Sequence, residues 1–292
     1  MTSSFPRLRK PKNEESVFID GLTNMLLKKI SVSHLGGIQS SSWSFTDTLN
    51  VIKERYPDEL FGAIATVLHN KSTPCIPSTW LCKESSIDAV VSIDEKAFLV
   101  KVTPTEDLKG IKLSALDEEN RDVTAEYRYL SSHCKEHDLS DIFNGNEKYA
   151  FLKIVNDMNE AEVSKSSPNG FLRIKAFRSY VFDYVKNFKP ELLREGKRYE
   201  IVLEKSGIYC VRHTDGEKRP VFLSESEQTL FRYLCFLRTA EFWQGFEELR
   251  NLHALKKPLL VKDFLSRLDE SINIENLLQR TMELERQVII LN

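Results

Sequence analysis

Asp88 and Lys101 sit on two runs of strand-like alternation, Ile87–Ile93 and Ala97–Thr103, joined at Asp94-Glu95-Lys96. An acid and a lysine so placed suit metal-dependent phosphodiester cleavage. Carboxylates would hold the cation there and an ammonium would stabilise the charged transition state. The second acid is missing: Leu99 occupies its place, and Asp94 and Glu95 fall in the turn. A structural hairpin with a surface lysine is the other reading. His133 and His137 stand at i and i+4, a metal-binding spacing, but no CxxC or HExxH accompanies them. Cys75 and Cys82 flank prolines and read as packing residues, so no metal or other cofactor is expected.

A third constellation is basic. Arg173, Lys175, Arg178, Lys186, Lys189, Arg194, Lys197 and Arg198 crowd residues 173–198, against only Asp183, Glu191 and Glu195. The interleaved Phe177, Tyr180, Phe182 and Tyr184 suit a stacking platform for single-stranded nucleic acid. The same pattern fits a solvated basic face opposite an aromatic core face. The last is Ser224 with Glu227 three residues later, a capping box that opens a helix at 227–246.

Periodicity supplies the elements that must position these residues. A polar, basic arm (residues 1–15) precedes a region, 16–84, expected to be helical: Val17–Ile30, then Phe45–Arg55 capped by Thr46 or Asp47, then Pro57–His69. The stretch His34–Trp43 reads as a loop, and its Gly36-Gly37 lacks the Gly-Lys-Ser/Thr of a phosphate loop. An α+β region, 85–170, holds the hairpin, a charged segment Asp117–His137 that is helical in its second half, and a strand at Tyr149–Asn156. The C-terminal lobe, 171–292, carries a helix at Arg173–Phe188 and strands at Tyr199–Glu204 and Gly207–His213. Its apolar helix follows, with two short strands, Lys257–Val261 and Arg286–Leu291, around another helix. Two strands so separated form a βαβ unit and lie parallel. The fold class is mixed α/β: a helical N-terminal region, a strand-rich centre and a βαβ-containing lobe.

From Val221 onward the order of motifs resembles the C-terminal lobe of SMC/RecF-type ABC ATPases. Leu223-Ser224-Glu225-Ser226-Glu227 stands at the signature, Lys262-Asp263 at Walker B, and Ser266-Arg267-Leu268-Asp269 at the D-loop. The resemblance implies a nucleotide lobe with Ser224, Glu225, Asp263 and Asp269 as its site residues. The chemistry departs from the pattern. Ser226 adds a Cβ where a glycine lets the backbone approach phosphate. Lys262 puts a cation beside the place of Mg²⁺. No upstream segment reads GxxxxGK[ST], and Asn292 stands where a switch histidine is due. Asp88 and Lys101 likewise resemble the core of restriction-type nucleases, with Leu99 in place of the second acid.

Hydrophobic content of 41% and 10% aromatics support a real core, and a net charge of −2 gives no global pull toward nucleic acid. Such binding needs a local patch. No apolar run is long enough to span a membrane, and five scattered cysteines fit reduced thiols in the cytoplasm. The leading expectation is therefore a non-catalytic, bacterial-type accessory subunit, with an ATPase or nuclease subunit as partner and DNA as an associated ligand. The alternatives are a nuclease using Asp88 and Lys101, and a nucleic-acid module centred on 173–198.

Overall fold

The apolar residues of the first described segment alternate as Met25 and Leu27, then Ile30 and Val32, all buried. Alternation of that kind makes a strand with one face in the core. In the computed structural model this segment is β1 (Thr23–Leu35), not the helix expected over Val17–Ile30. The structure describes residues 23–69, 76–132, 199–203, 209–213, 255–284 and 286–292, with 224–227, 229–230, 233–234 and 237 between them.

The segment His34–Trp43, expected as a loop, is a turn and most of a second strand, β2 (Ile38–Ser44). Leu35 pairs with Ile38, so Gly36-Gly37 is a two-residue hairpin turn. Gly36 takes φ +54°, a conformation glycine adopts without strain. The expected helix Phe45–Arg55 is also corrected: it contains strand β3 (Leu49–Ile52). Of the helices expected in residues 16–84, one is α1 (Pro57–His69), where Pro57 opens the first turn and Asp58 and Glu59 meet the positive end of the helix dipole.

The hairpin of β4 (Ser86–Ile93) and β5 (Lys96–Pro104) has the expected position, followed by β6 (Ile111–Leu116), which the sequence reading missed. Together they form an antiparallel sheet in the order β2-β1-β4-β5-β6. Helix α2 (Thr124–Ser132) is the helical second half expected after Asp117. A separate antiparallel pair, β7 (Tyr199–Leu203) and β8 (Tyr209–His213), also falls where expected.

Near the C-terminus, β9 (Leu255–Lys256) joins β1 in parallel. Then β10 (Leu259–Lys262), α3 (Ile274–Met282) and β11 (Val288–Leu291) form the expected βαβ unit. Strands β10, β11 and β3 make a parallel sheet in that order, and β10 and β11 are almost wholly buried. Near-continuous apolar runs are what a doubly covered parallel strand requires.

Helix α1 packs against both β1 and β10, so it lies between the two sheets. Leu60, Ile64, Val67 and Leu68 are fully buried in one cluster with Ile30, Val32, Phe98, Leu260 and Ile289. Each such side chain contributes about 1.5–3 kcal/mol by leaving water. Tyr127 of α2 donates its hydroxyl to the Val67 carbonyl at 2.7 Å, tying the two helices.

The turn from β6 to α2 is organised by Asp117, which is 4% exposed. Its carboxylate accepts from the Arg121 amide at 2.8 Å, the Glu119 amide at 3.0 Å and Arg121 Nε at 2.6 Å. Burial opposes the charged form, but these donors outweigh it and hold the carboxyl below its ordinary value. A depressed folded-state value means that Asp117 stabilises the fold above about pH 4, the unfolded value, and ceases to as pH falls through the folded one. Asp117→Asn should therefore unfold more readily in urea at neutral pH than wild type, and the gap between them should close on acidification. A gap that persists unchanged at low pH would contradict this assignment.

Candidate functional site at the carboxyl edge of the parallel sheet

In open α/β sheets, ligands bind in the crevice beyond the carboxyl ends of the parallel strands. Here that edge gathers Lys53–Glu59 after β3, Lys262 at the end of β10 with Asp263 following it, and Asn292 after β11. Backbone bonds fix it. The Asn292 amide donates to Ile52 O at 2.9 Å, Glu54 N to Asn292 O at 2.9 Å, and Asp263 N to Leu291 O at 2.9 Å. Asp263 takes φ +53° as the chain leaves β10, and the Asn292 side chain accepts from Ser266 N at 3.0 Å.

A strand, a short loop and a helix N-terminus in this order form the context in which a phosphate loop works, because free amides and the helix dipole attract an anion. This loop offers the reverse. Residues 53–57 read Lys-Glu-Arg-Tyr-Pro, without glycine, and Pro57 has no N–H to give. Glu54 Oε1 accepts from the Arg55 amide at 2.8 Å and, more loosely, from Tyr56 N at 3.4 Å. Glu59 leans toward the hairpin turn, with the Gly37 amide 3.4 Å from its Oε1. Asp58, in the first turn of α1, is paired with Lys262 Nζ at 2.5 Å, and the same ammonium lies 5.6 Å from the Phe61 ring centroid. The edge thus holds three cations, Lys53, Arg55 and Lys262, and four carboxylates, Glu54, Asp58, Glu59 and Asp263.

The signature-like segment behaves as the capping box expected from sequence. Ser224 N donates to Glu227 Oε2 at 2.9 Å and Glu227 N to Ser224 Oγ at 3.1 Å. Ser224 and Glu225 are exposed, whereas Ser226 and Glu227 are buried. Ser226 Oγ accepts from the Asp269 amide at 3.0 Å, so its side chain latches the start of the helix to the D-loop-like turn. The Asp269 carboxylate is engaged in its own turn by Ser271 N at 2.9 Å.

Asp88 and Lys101 are directly opposite one another in the β4–β5 register, both exposed, with Leu99 beside Lys101 on the same face. No cluster of three or more His, Cys, Asp or Glu able to hold a metal occurs among the described residues. Arg173, Lys175, Arg178, Lys186, Lys189, Arg194, Lys197 and Arg198 lie outside the described residues, as do His133, His137, Cys75 and the segments Tyr149–Asn156 and Arg173–Phe188. Cys82 is a free thiol. The sequence reading missed Glu54, Asp58 and Glu59, although acids directly after a Pro-initiated helix start were its available signal.

No protein family profile and no curated protein matches the chain. Among solved structures it is similar to the recombination mediator protein RecF of the RecFOR pathway in two forms, RecF-ATPrS and RecF-ATP. Each is 14% identical with TM-score 0.47, covering 92% of this chain and 92% or 94% of the other. It is also similar to the SMC head domain from Thermotoga maritima, at 12% identity and TM-score 0.46, covering 91% of this chain and 89% of that one. The chain resembles RecF and SMC heads weakly. Identities this low say nothing of chemistry, which rests on the side chains at the sheet edge. Among the described residues no helix is long and apolar enough to cross a membrane.

Proposed function

We propose that this chain is a non-catalytic accessory or scaffold subunit of an intracellular, DNA-associated assembly, built on a nucleotide-incompetent lobe. Its partner would be an ATPase or nuclease subunit. The observation that supports this reading is the Lys262–Asp58 pair across the carboxyl edge of the parallel sheet. A phosphate arriving there meets Asp58 and Glu59 at a helix N-terminus, and Mg²⁺ meets an ammonium. Both are the wrong sign for nucleotide chemistry. Glu54 meanwhile occupies the loop amides that would otherwise receive an anion.

The test is equilibrium titration of the purified full chain with a fluorescent ATP analogue and Mg²⁺, together with phosphate release. The expected result is no saturable binding, with any Kd weaker than about 1 mM, and no turnover. ATP hydrolysis by the chain alone, abolished by Asp263→Ala, would overturn the reading.

A further inference from the structure

The outer face of the antiparallel sheet takes no part in the site at the edge of the parallel sheet. Its inner rows, such as Ile30-Ala89-Val100-Ala115, are buried in the core, so the intervening residues point outward. Read across the strands, one outward row is Ser42-Ser31-Asp88-Lys101-Ser114. Below it lies Thr103 opposite Lys112, and above it Lys29-Val90-Leu99-Leu116. Lys29, Lys101 and Lys112 are exposed, and none has an ion-pair partner among the described residues. Asp88 is the one acid in these rows, leaving a net charge of +2 from three lysines and one aspartate.

We propose that this face binds the phosphodiester backbone of duplex DNA. Lys101 and Lys112 are diagonal neighbours about 7–8 Å apart at the backbone, and Lys29 lies two strands across and two residues along from Lys101, roughly 12 Å away. Long side chains spread over that area can follow a line of phosphates. Hydroxyls of Ser31, Ser42, Thr103 and Ser114 stand beside the ammoniums, and such groups bond phosphate oxygens. The charge sign excludes a cationic partner. An acidic protein fits less well, because protein interfaces are anchored by aromatic and Arg hot spots. This face presents none, and its largest exposed apolar side chain is Leu99, at 40%. The same lack of aromatic rings leaves unstacked bases without a platform, which favours duplex over single strand. Binding of this kind is sequence-independent and falls steeply with salt.

The experiment is fluorescence anisotropy of a labelled duplex of mixed sequence, and of its single strand, with the full chain at several salt concentrations. The triple variant Lys29→Thr, Lys101→Thr, Lys112→Thr keeps residues that suit strands, and circular dichroism checks that it folds. Expected are duplex binding that the triple variant weakens at least about tenfold, with a log–log salt slope reduced by about 2 to 3, and tighter binding by Asp88→Asn. Three results overturn the proposal: no duplex binding at low salt, a folded triple variant that binds like wild type, or preference for the single strand. These outcomes are independent of the nucleotide titration, so either reading can fail alone.

Discussion

Gln287→Leu should destabilise the protein by about 3 kcal/mol, the cost of leaving buried backbone groups without partners. Strand β1 pairs with β2 as far as Lys29 and with β9 only at Thr23 and Asn24. The edge between them is open. Gln287, 1% exposed and 260 residues away in sequence, fills that gap with its side-chain amide. Its Oε1 accepts from Leu27 N at 2.8 Å, and its Nε2 donates to Leu27 O at 2.9 Å and Thr46 O at 2.6 Å. Leucine nearly matches the volume but offers neither donor nor acceptor. Urea unfolding should show a lower midpoint with unchanged slope, while the exposed Gln39→Leu should shift stability by less than about 0.5 kcal/mol. If the two variants behaved alike, Gln287 would not be the joint between the antiparallel sheet and the parallel one.

The same region shows why the N-terminal elements were hard to read. At Lys28 the β1–β4 register slips, between Leu27 and Lys29. One extra residue reverses the parity of the inward positions, from Met25 and Leu27 to Ile30 and Val32. The resulting intervals, Leu27 to Ile30 and Leu26 to Ile30, are three and four residues, which is helical spacing. A bulge therefore imitates a helix. Strand β3 was illegible for another reason. Its partner β11 lies at the far end of the chain, so no local hairpin betrays it, and four residues are too few for a period. The strand before α1 was thus hidden, and with it the strand–loop–helix that forms the candidate site.

Local chemistry read well. The β4–β5 hairpin declares itself by alternation, and α1 by the helical spacing of Leu60, Ile64, Val67 and Leu68 after Pro57. The capping box of Ser224 and Glu227 needs only residues three apart, and both of its bonds are present. What sequence could not show is which distant charges meet. Lys262 and Asp58 are 204 residues apart, and their pairing follows from the parallel order β10-β11-β3. The sign problem at Lys262 was visible alone, but its partner was not.

Tyr233→Ala should cost about 4 kcal/mol, as for other buried aromatic truncations. Tyr233 lies on the helix that the Ser224–Glu227 box opens and is fully buried. Its ring stacks on Phe264, with centroids 4.0 Å apart and planes 22° from parallel, just beyond β10. Its hydroxyl bonds Thr281 Oγ1 of α3 at 2.9 Å, and Thr281 is held in turn by the Leu277 carbonyl at 2.9 Å. Burial raises the phenol well above its ordinary value despite the Thr281 bond, so it stays neutral across the working pH range. Tyr233→Phe separates the contributions: it keeps the stacking and loses one hydrogen bond, for about 1 kcal/mol. Both costs are read from urea midpoints. If Tyr233→Ala cost no more than Tyr233→Phe, the ring would not be what docks the helix. A docked helix is what the scaffold reading requires. With Ser226 also latched to the Asp269 amide, this lobe holds its signature-like segment against the βαβ unit by its own side chains. The exposed Ser224 and Glu225 thus stand at the start of a helix that is tied to that unit.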